Sequence, residues 1–141
     1  SPPPMHHLHI AAACLFNTQG HLLTVRKRGT QAWMLPGGKR DGEETPLQAL
    51  VRELQEELQI TMAAADFAPL GQFSAIAANE AATQVHAHVL VAHAPLQRTV
   101  QAAAEIAGVQ WLALDQPLPD TLAPLLRSQV IPALRARNAA A

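Results

Sequence analysis

The chain has 141 residues, a formal net charge of −1 and charged side chains at only 15% of positions. That length supplies one core of ordinary size, so we expect a single domain over residues 1–141. The sparse, balanced charge argues against an electrostatic nucleic-acid binder, and no apolar run reaches the roughly 18 residues needed to cross a bilayer.

In chain order, Ser1 to Pro4 is a proline run that cannot begin a regular element, and residues 1–5 are expected outside the ordered core. No leader-like segment follows Met5, so a cytoplasmic protein is expected. His6, His7 and His9 make a tempting metal set, but near a terminus without a supporting shell we read them as solvated. His9 to Phe16 has the length and apolarity of a strand. Cys14 within it reads as a buried thiol rather than a nucleophile. Asn17-Thr18-Gln19-Gly20 is a turn, and Leu22 to Arg28 a second strand, which predicts a hairpin. At its end, alternation puts Arg26 and Arg28 on one face and Lys27 on the other.

The stretch from Leu35 to Ile60, LPGGKRDGEETPLQALVRELQEELQI, organises the rest. Thr45 suits a helix N-cap, Pro46 the first helical position, and Gln48 completes a capping box. Leu47, Leu50, Val51, Leu54 and Leu58 then form one apolar stripe at helical period. Glu53, Glu56 and Glu57 share a second face. Like charges at these spacings each cost about 0.2–0.5 kcal/mol, and Arg52 can relieve only part of the set. Such a face is either solvated or holds a hard divalent cation, because Mg²⁺ and Mn²⁺ prefer oxygen ligands.

Phe67 to Ile76 follows an alanine-rich connection and reads as an irregular or edge strand, with Pro69 near its start and Gly71 inside. Ala77 to Ala82 is a loop or hairpin tip. Thr83 to Ala92 alternates as a half-buried strand that points His86 and His88 the same way. With no third nitrogen or thiolate evident, that pair reads as a polar sheet face rather than a zinc site. Pro95 to Ala104 is a loop, Ile106 to Leu114 a strand carrying a core Trp111, and a final helix is expected from about Pro119 to Arg137. Pro124 and Pro132 should interrupt or kink it.

Gly38, five residues, Glu44, seven residues, Arg52-Glu53-Leu54, one residue, Glu56-Glu57, and Ile60 after two more resemble the signature of the Nudix hydrolases. Gln59 departs, standing where the family has Gly. Trp33-Met34-Leu35-Pro36-Gly37 resembles the family lead-in. The resemblance implies an α/β fold of Nudix type, an α/β/α sandwich with a mixed β-sheet. It also implies a Mg²⁺- or Mn²⁺-dependent enzyme with Glu53, Glu56, Glu57 and Arg52 as its catalytic group. The metal would be held by Glu56, Glu57, the Gly37 carbonyl and Glu53, which is otherwise the base. Arg52 with Glu44 would orient the loop against the helix. Glu105, a few positions before Trp111, would be a further ligand or base. Arg26, Arg28, Gly38 and Lys39 are the candidates for substrate contact.

Relatives that prefer ADP-ribose tend to carry a proline about fifteen residues beyond the signature, and diadenosine-polyphosphate enzymes a tyrosine slightly further on. Ala75 to Ala78 occupy that region and the chain has no tyrosine. The expected substrate is therefore a small nucleotide, a nucleoside triphosphate cleaved in MutT-like fashion. ADP-ribose or a nucleotide sugar is the alternative within the class, and a non-catalytic nucleotide-binding module the alternative outside it. No nucleic-acid or membrane partner is expected, and a homodimer would be in keeping with the family.

Overall fold

The computed structural model describes residues 4–140. The reading of the proline run as lying outside the core concerns, for residues 1–3, positions outside the described residues; Pro4 and Met5 precede the first strand without regular structure. The strands are β1 (His6–Cys14), β2 (Leu22–Lys27), β3 (Trp33–Met34), β4 (Gly37–Lys39), β5 (Phe67–Ile76), β6 (Thr83–Ala92) and β7 (Ile106–Leu112). Helix α1 (Pro46–Leu58) lies between β4 and β5, and α2 (Ile131–Ala140) ends the chain.

Two sheets carry the fold. One is mixed, in the order β4-β1-β6-β5, with β1 and β6 parallel and the other pairs antiparallel. The other is antiparallel, in the order β3-β2-β7. Alternate residues of β1 face opposite layers: Ala11 and Ala13 pack with Leu50, Leu54 and Leu58 of α1, whereas Ala12 and Cys14 pack with Leu126, Val130 and Ile131. A strand covered on both faces must be apolar throughout, which is why this one lacks alternation. Cys14 is buried as expected, and burial pushes its thiol up to about 12.

The hairpin expected between the first two strands is not formed. Its two halves enter different sheets and meet at one bridge, Phe16 to Leu22, beside the Leu23 amide donating to the Leu15 carbonyl. β1 already has β4 on one edge and β6 on the other, so no edge remains for β2. β5 is an edge strand with a register shift between Pro69 and Gly71, as its composition predicts.

The last helix starts later than expected. A π-helical turn, Leu125–Val130, runs directly into α2. Within it Ile131 donates to the Leu126 carbonyl, one residue further back than in an α-helix. Pro132 has no N–H and its ring crowds the preceding turn, so a widened turn before it accommodates the ring without breaking the helix.

Candidate active site

α1 begins as its sequence demands. Thr45 accepts from the Gln48 amide while the Gln48 side chain accepts from the Thr45 amide. Leu50, Leu54 and Leu58 are fully buried against the sheet. Packing that stripe fixes the roll of the helix and thereby aims Glu53 and Glu57 inward, towards β4. The helix ends at Gln59 with φ 57° and ψ 36°, the left-handed conformation that glycine adopts most cheaply.

β4 is where helix and sheet come closest. Gly37 has φ 146°, and a Cβ there would strike the Ala11 carbonyl oxygen and stand 2.7 Å from the Ala12 Cα. At Gly38 a Cβ would stand 2.5 Å from the Glu53 carboxyl carbon. The glycine pair therefore makes room for the carboxylate on one side and for strand β1 on the other. The Gly37 amide donates to Glu57 Oε1 at 3.1 Å.

Three carboxylates converge at this point. Glu53, Glu57 and Glu105 each offer an oxygen, and these oxygens lie within 4.8 Å of one another. Glu57 is only 2% exposed. Burial pushes its carboxyl up to about 8, against which the Gly37 amide and the more distant Lys27 act weakly. Burial also raises Glu53, opposed by its bond from Arg52. The cluster fits a divalent cation: the donors are hard oxygens, and the innermost, Glu57, is buried with no ion pair among the described residues, whereas Glu53 and Glu105 are paired with Arg52 and Lys27.

Glu105 reaches the cluster because its loop is pinned to the end of α1. The amides of Gln101 and Ala103 donate to the carbonyls of Leu58 and Glu57, which the helix itself leaves unpaired. The Arg28 amide in turn donates to the Glu105 carbonyl at 2.7 Å.

Arg52 ties the remaining pieces together. Its Nε and Nη2 donate to Glu44 Oε2 and Oε1 at 2.8 and 2.9 Å, its Nη1 to Glu53 at 2.8 Å, and Nη2 also to the Lys39 carbonyl at 3.0 Å. The fork holds the Glu44 carboxyl down at about 2, and that bond raises Arg52 itself. Glu56 stands apart from the three converging carboxylates, exposed and 3.4 Å from Arg52.

The substrate candidates separate by face. A cleft lined by Gly37, Gly38, Lys39 and Glu57 continues over Ile10, Val25, Met34, Leu35, Ala77, Ala78 and Val85. The apolar part runs on to Ala123, Leu125 and Leu126. Arg26 turns away, donating to the Thr30 carbonyl and lying over the Trp33 ring. Arg28 donates to the Ala104 carbonyl. The cation from β2 that lines the cleft is Lys27, 3.9 Å from Glu105. Sequence reasoning named its neighbours and passed over it. The available signal was its spacing from Val25, two residues away on the inward face.

The NUDIX domain family profile matches residues 5–134. Among curated relatives, an RNA pyrophosphohydrolase of Halorhodospira halophila is 46% identical over 55 residues, 39% of this chain and 29% of that protein. An 8-oxo-dGTP diphosphatase of Proteus vulgaris is 41% identical over 58 residues, 38% of this chain and 51% of that protein. The matched segments thus span between a quarter and about half of these relatives. The crystal structure of a MutT protein from Methanosarcina mazei Go1 superposes with a TM-score of 0.80, covering 96% of this chain and 99% of that one at 23% identity, which shows the fold.

Proposed function

From the premise that the chain belongs to the NUDIX family, we propose that it hydrolyses a phosphoanhydride bond of a nucleoside diphosphate linked to another moiety. A free nucleoside triphosphate, cleaved to the monophosphate and pyrophosphate in MutT-like fashion, is the substrate we assign. Residues 1–141 would act as one catalytic domain. The observation that carries this reading is the buried Glu57 carboxylate, converging with Glu53 and Glu105 at the polar end of an otherwise apolar cleft.

Glu53, Glu57 and Glu105 would hold Mg²⁺ or Mn²⁺, with Glu56 and the Gly37 carbonyl at the margin of the same set. Such an ion, when bound, acidifies water and spreads the charge of the phosphoryl oxygens. The chain's own residues supply the rest. Arg52 holds Glu53 on one side and Glu44 of the loop after β4 on the other, so Glu53 stays in place. Lys39 and Lys27 would attract the polyphosphate from opposite walls of the cleft, in place of Arg26 and Arg28, which are engaged elsewhere. Glu53 or Glu105 would accept the proton of the attacking water. Met34, Leu35, Ile10 and Val85 offer an apolar seat for the nucleoside.

The likeness to an RNA pyrophosphohydrolase favours a second reading, in which the triphosphate is the 5′ end of an RNA. The net charge of −1 favours the free nucleotide. Purified protein with Mg²⁺ should be tested against nucleoside triphosphates, ADP-ribose, nucleotide sugars and a 5′-triphosphorylated RNA. Turnover of a free triphosphate that Glu57→Gln abolishes supports the assignment. Nucleotide binding without turnover anywhere in the panel would make the chain a binding module instead.

A further inference from the structure

Three histidines from two distant segments become neighbours in the fold. His7 and His9 on β1 share the face that Ala11 and Ala13 continue, and His86 on β6 is directly paired with His9 in the parallel ladder. The His86 ring lies between the other two, with centroids 5.1 Å from His7 and 5.0 Å from His9. His7 Nδ1 and His86 Nε2 are 2.8 Å apart, a contact that requires one nitrogen to carry a proton and the other a lone pair. Behind them, Ser74 Oγ on β5 lies 2.8 Å from His86 Nδ1. Nothing in the proposed hydrolysis uses these residues.

We propose that His7, His9 and His86 form a second cation site, for one borderline divalent transition-metal ion such as Zn²⁺. The donor chemistry separates it from the carboxylate cluster: imidazoles select Zn²⁺, Ni²⁺ or Cu²⁺, whereas the carboxylates select Mg²⁺ or Mn²⁺. Ser74 supplies the partner that ligating histidines usually have. With His86 Nδ1–H donating to the hydroxyl, the Nε2 lone pair is turned outward towards His7. Two imidazole nitrogens on one tetrahedral zinc stand about 3.4 Å apart, given zinc–nitrogen bonds of about 2.05 Å. Opening the His7–His86 contact from 2.8 Å to that separation is a small shift of an exposed side chain. Stacked on His86, His9 does not bring a nitrogen within 4.8 Å of both others, so the site requires its exposed ring to rotate out of the stack. The strands fix the spacing of the three Cα atoms, so binding orders side chains alone.

The test is calorimetric titration of the full chain with Zn²⁺ in excess Mg²⁺, with the fold of each variant checked by circular dichroism. One equivalent should bind, at least tenfold more weakly in His86→Gln and in His9→Gln. Affinity should be unchanged in His93→Gln, beyond the cluster, and in Glu57→Gln. Cu²⁺ in place of Zn²⁺ should give an electron paramagnetic resonance spectrum with nitrogen hyperfine splitting that His86→Gln removes. Absence of zinc binding, or binding that survives both His86→Gln and His9→Gln, or binding that Glu57→Gln removes, would overturn the proposal.

Discussion

Glu57 is the residue on which the site turns. It combines burial, a single amide donor and two nearby carboxylates, so its charged form is stabilised poorly by the protein alone. Its folded carboxyl titrates at about 8 against an ordinary 4.5. Between those values the native state binds more protons than the unfolded one, so the metal-free protein loses stability as pH rises from about 4.5 through 8. Chemical denaturation in EDTA should show a fall of roughly 2–4 kcal/mol across that window, absent in Glu57→Gln. The same substitution should lower kcat with Mg²⁺ by at least about 100-fold, since it removes a ligand. A stabilised but inactive variant is thus the expected outcome. Gly38→Ala should act differently. Its Cβ would meet the end of the Glu53 side chain rather than backbone, so Glu53 should be displaced from Arg52, with unfolding free energy changing by less than about 1 kcal/mol while kcat falls by about 10²-fold.

At the scale of elements, α1 shows what a sequence can announce. Its cap, its first-turn proline and its leucine stripe are all local signals, and the helix spans Pro46–Leu58 with the capping box in place. Gln59 occupies the left-handed cap in spite of its side chain. Gln59→Gly should therefore raise the unfolding free energy by roughly 0.5–1 kcal/mol without changing kcat, as measured by urea titration and initial rates. β5 and β6 were equally legible, because Pro69 and Gly71 mark an edge and the alternation from Thr83 to Ala92 marks a half-buried strand. The hairpin expected after β1 was not, because partner choice is decided by distant segments. β1 takes β6 from more than seventy residues away, a pairing no local window contains. The same limit hid the histidine cluster: His7 and His9 read as solvated near a terminus and His86 as part of a polar sheet face, and only the β1–β6 pairing brings them together. Pro132 was read as a kink, and the chain instead widens one turn ahead of it.

Across the whole molecule, the candidate site is a meeting of four distant segments: the glycines of β4, the inward face of α1, the end of β2 and the loop before β7. The signature residues made the first two legible. Glu105 was legible through its place before Trp111, whereas Lys27 needed the sheet to show which way it points. The loop before β7 is held to the last turn of α1 by two amide–carbonyl bonds, so Glu105 depends on that junction. The central claim is that these converging carboxylates exist to hold a divalent cation against a polyphosphate. Its most direct test is the crystal structure of the protein with Mn²⁺ and a non-hydrolysable nucleoside triphosphate, examined by anomalous scattering. The account predicts a manganese peak about 2.1 Å from oxygens of Glu57 and Glu53 that also touches the phosphate chain. Nucleotide bound in the cleft, with those carboxylates apart and no anomalous peak between them, would contradict it.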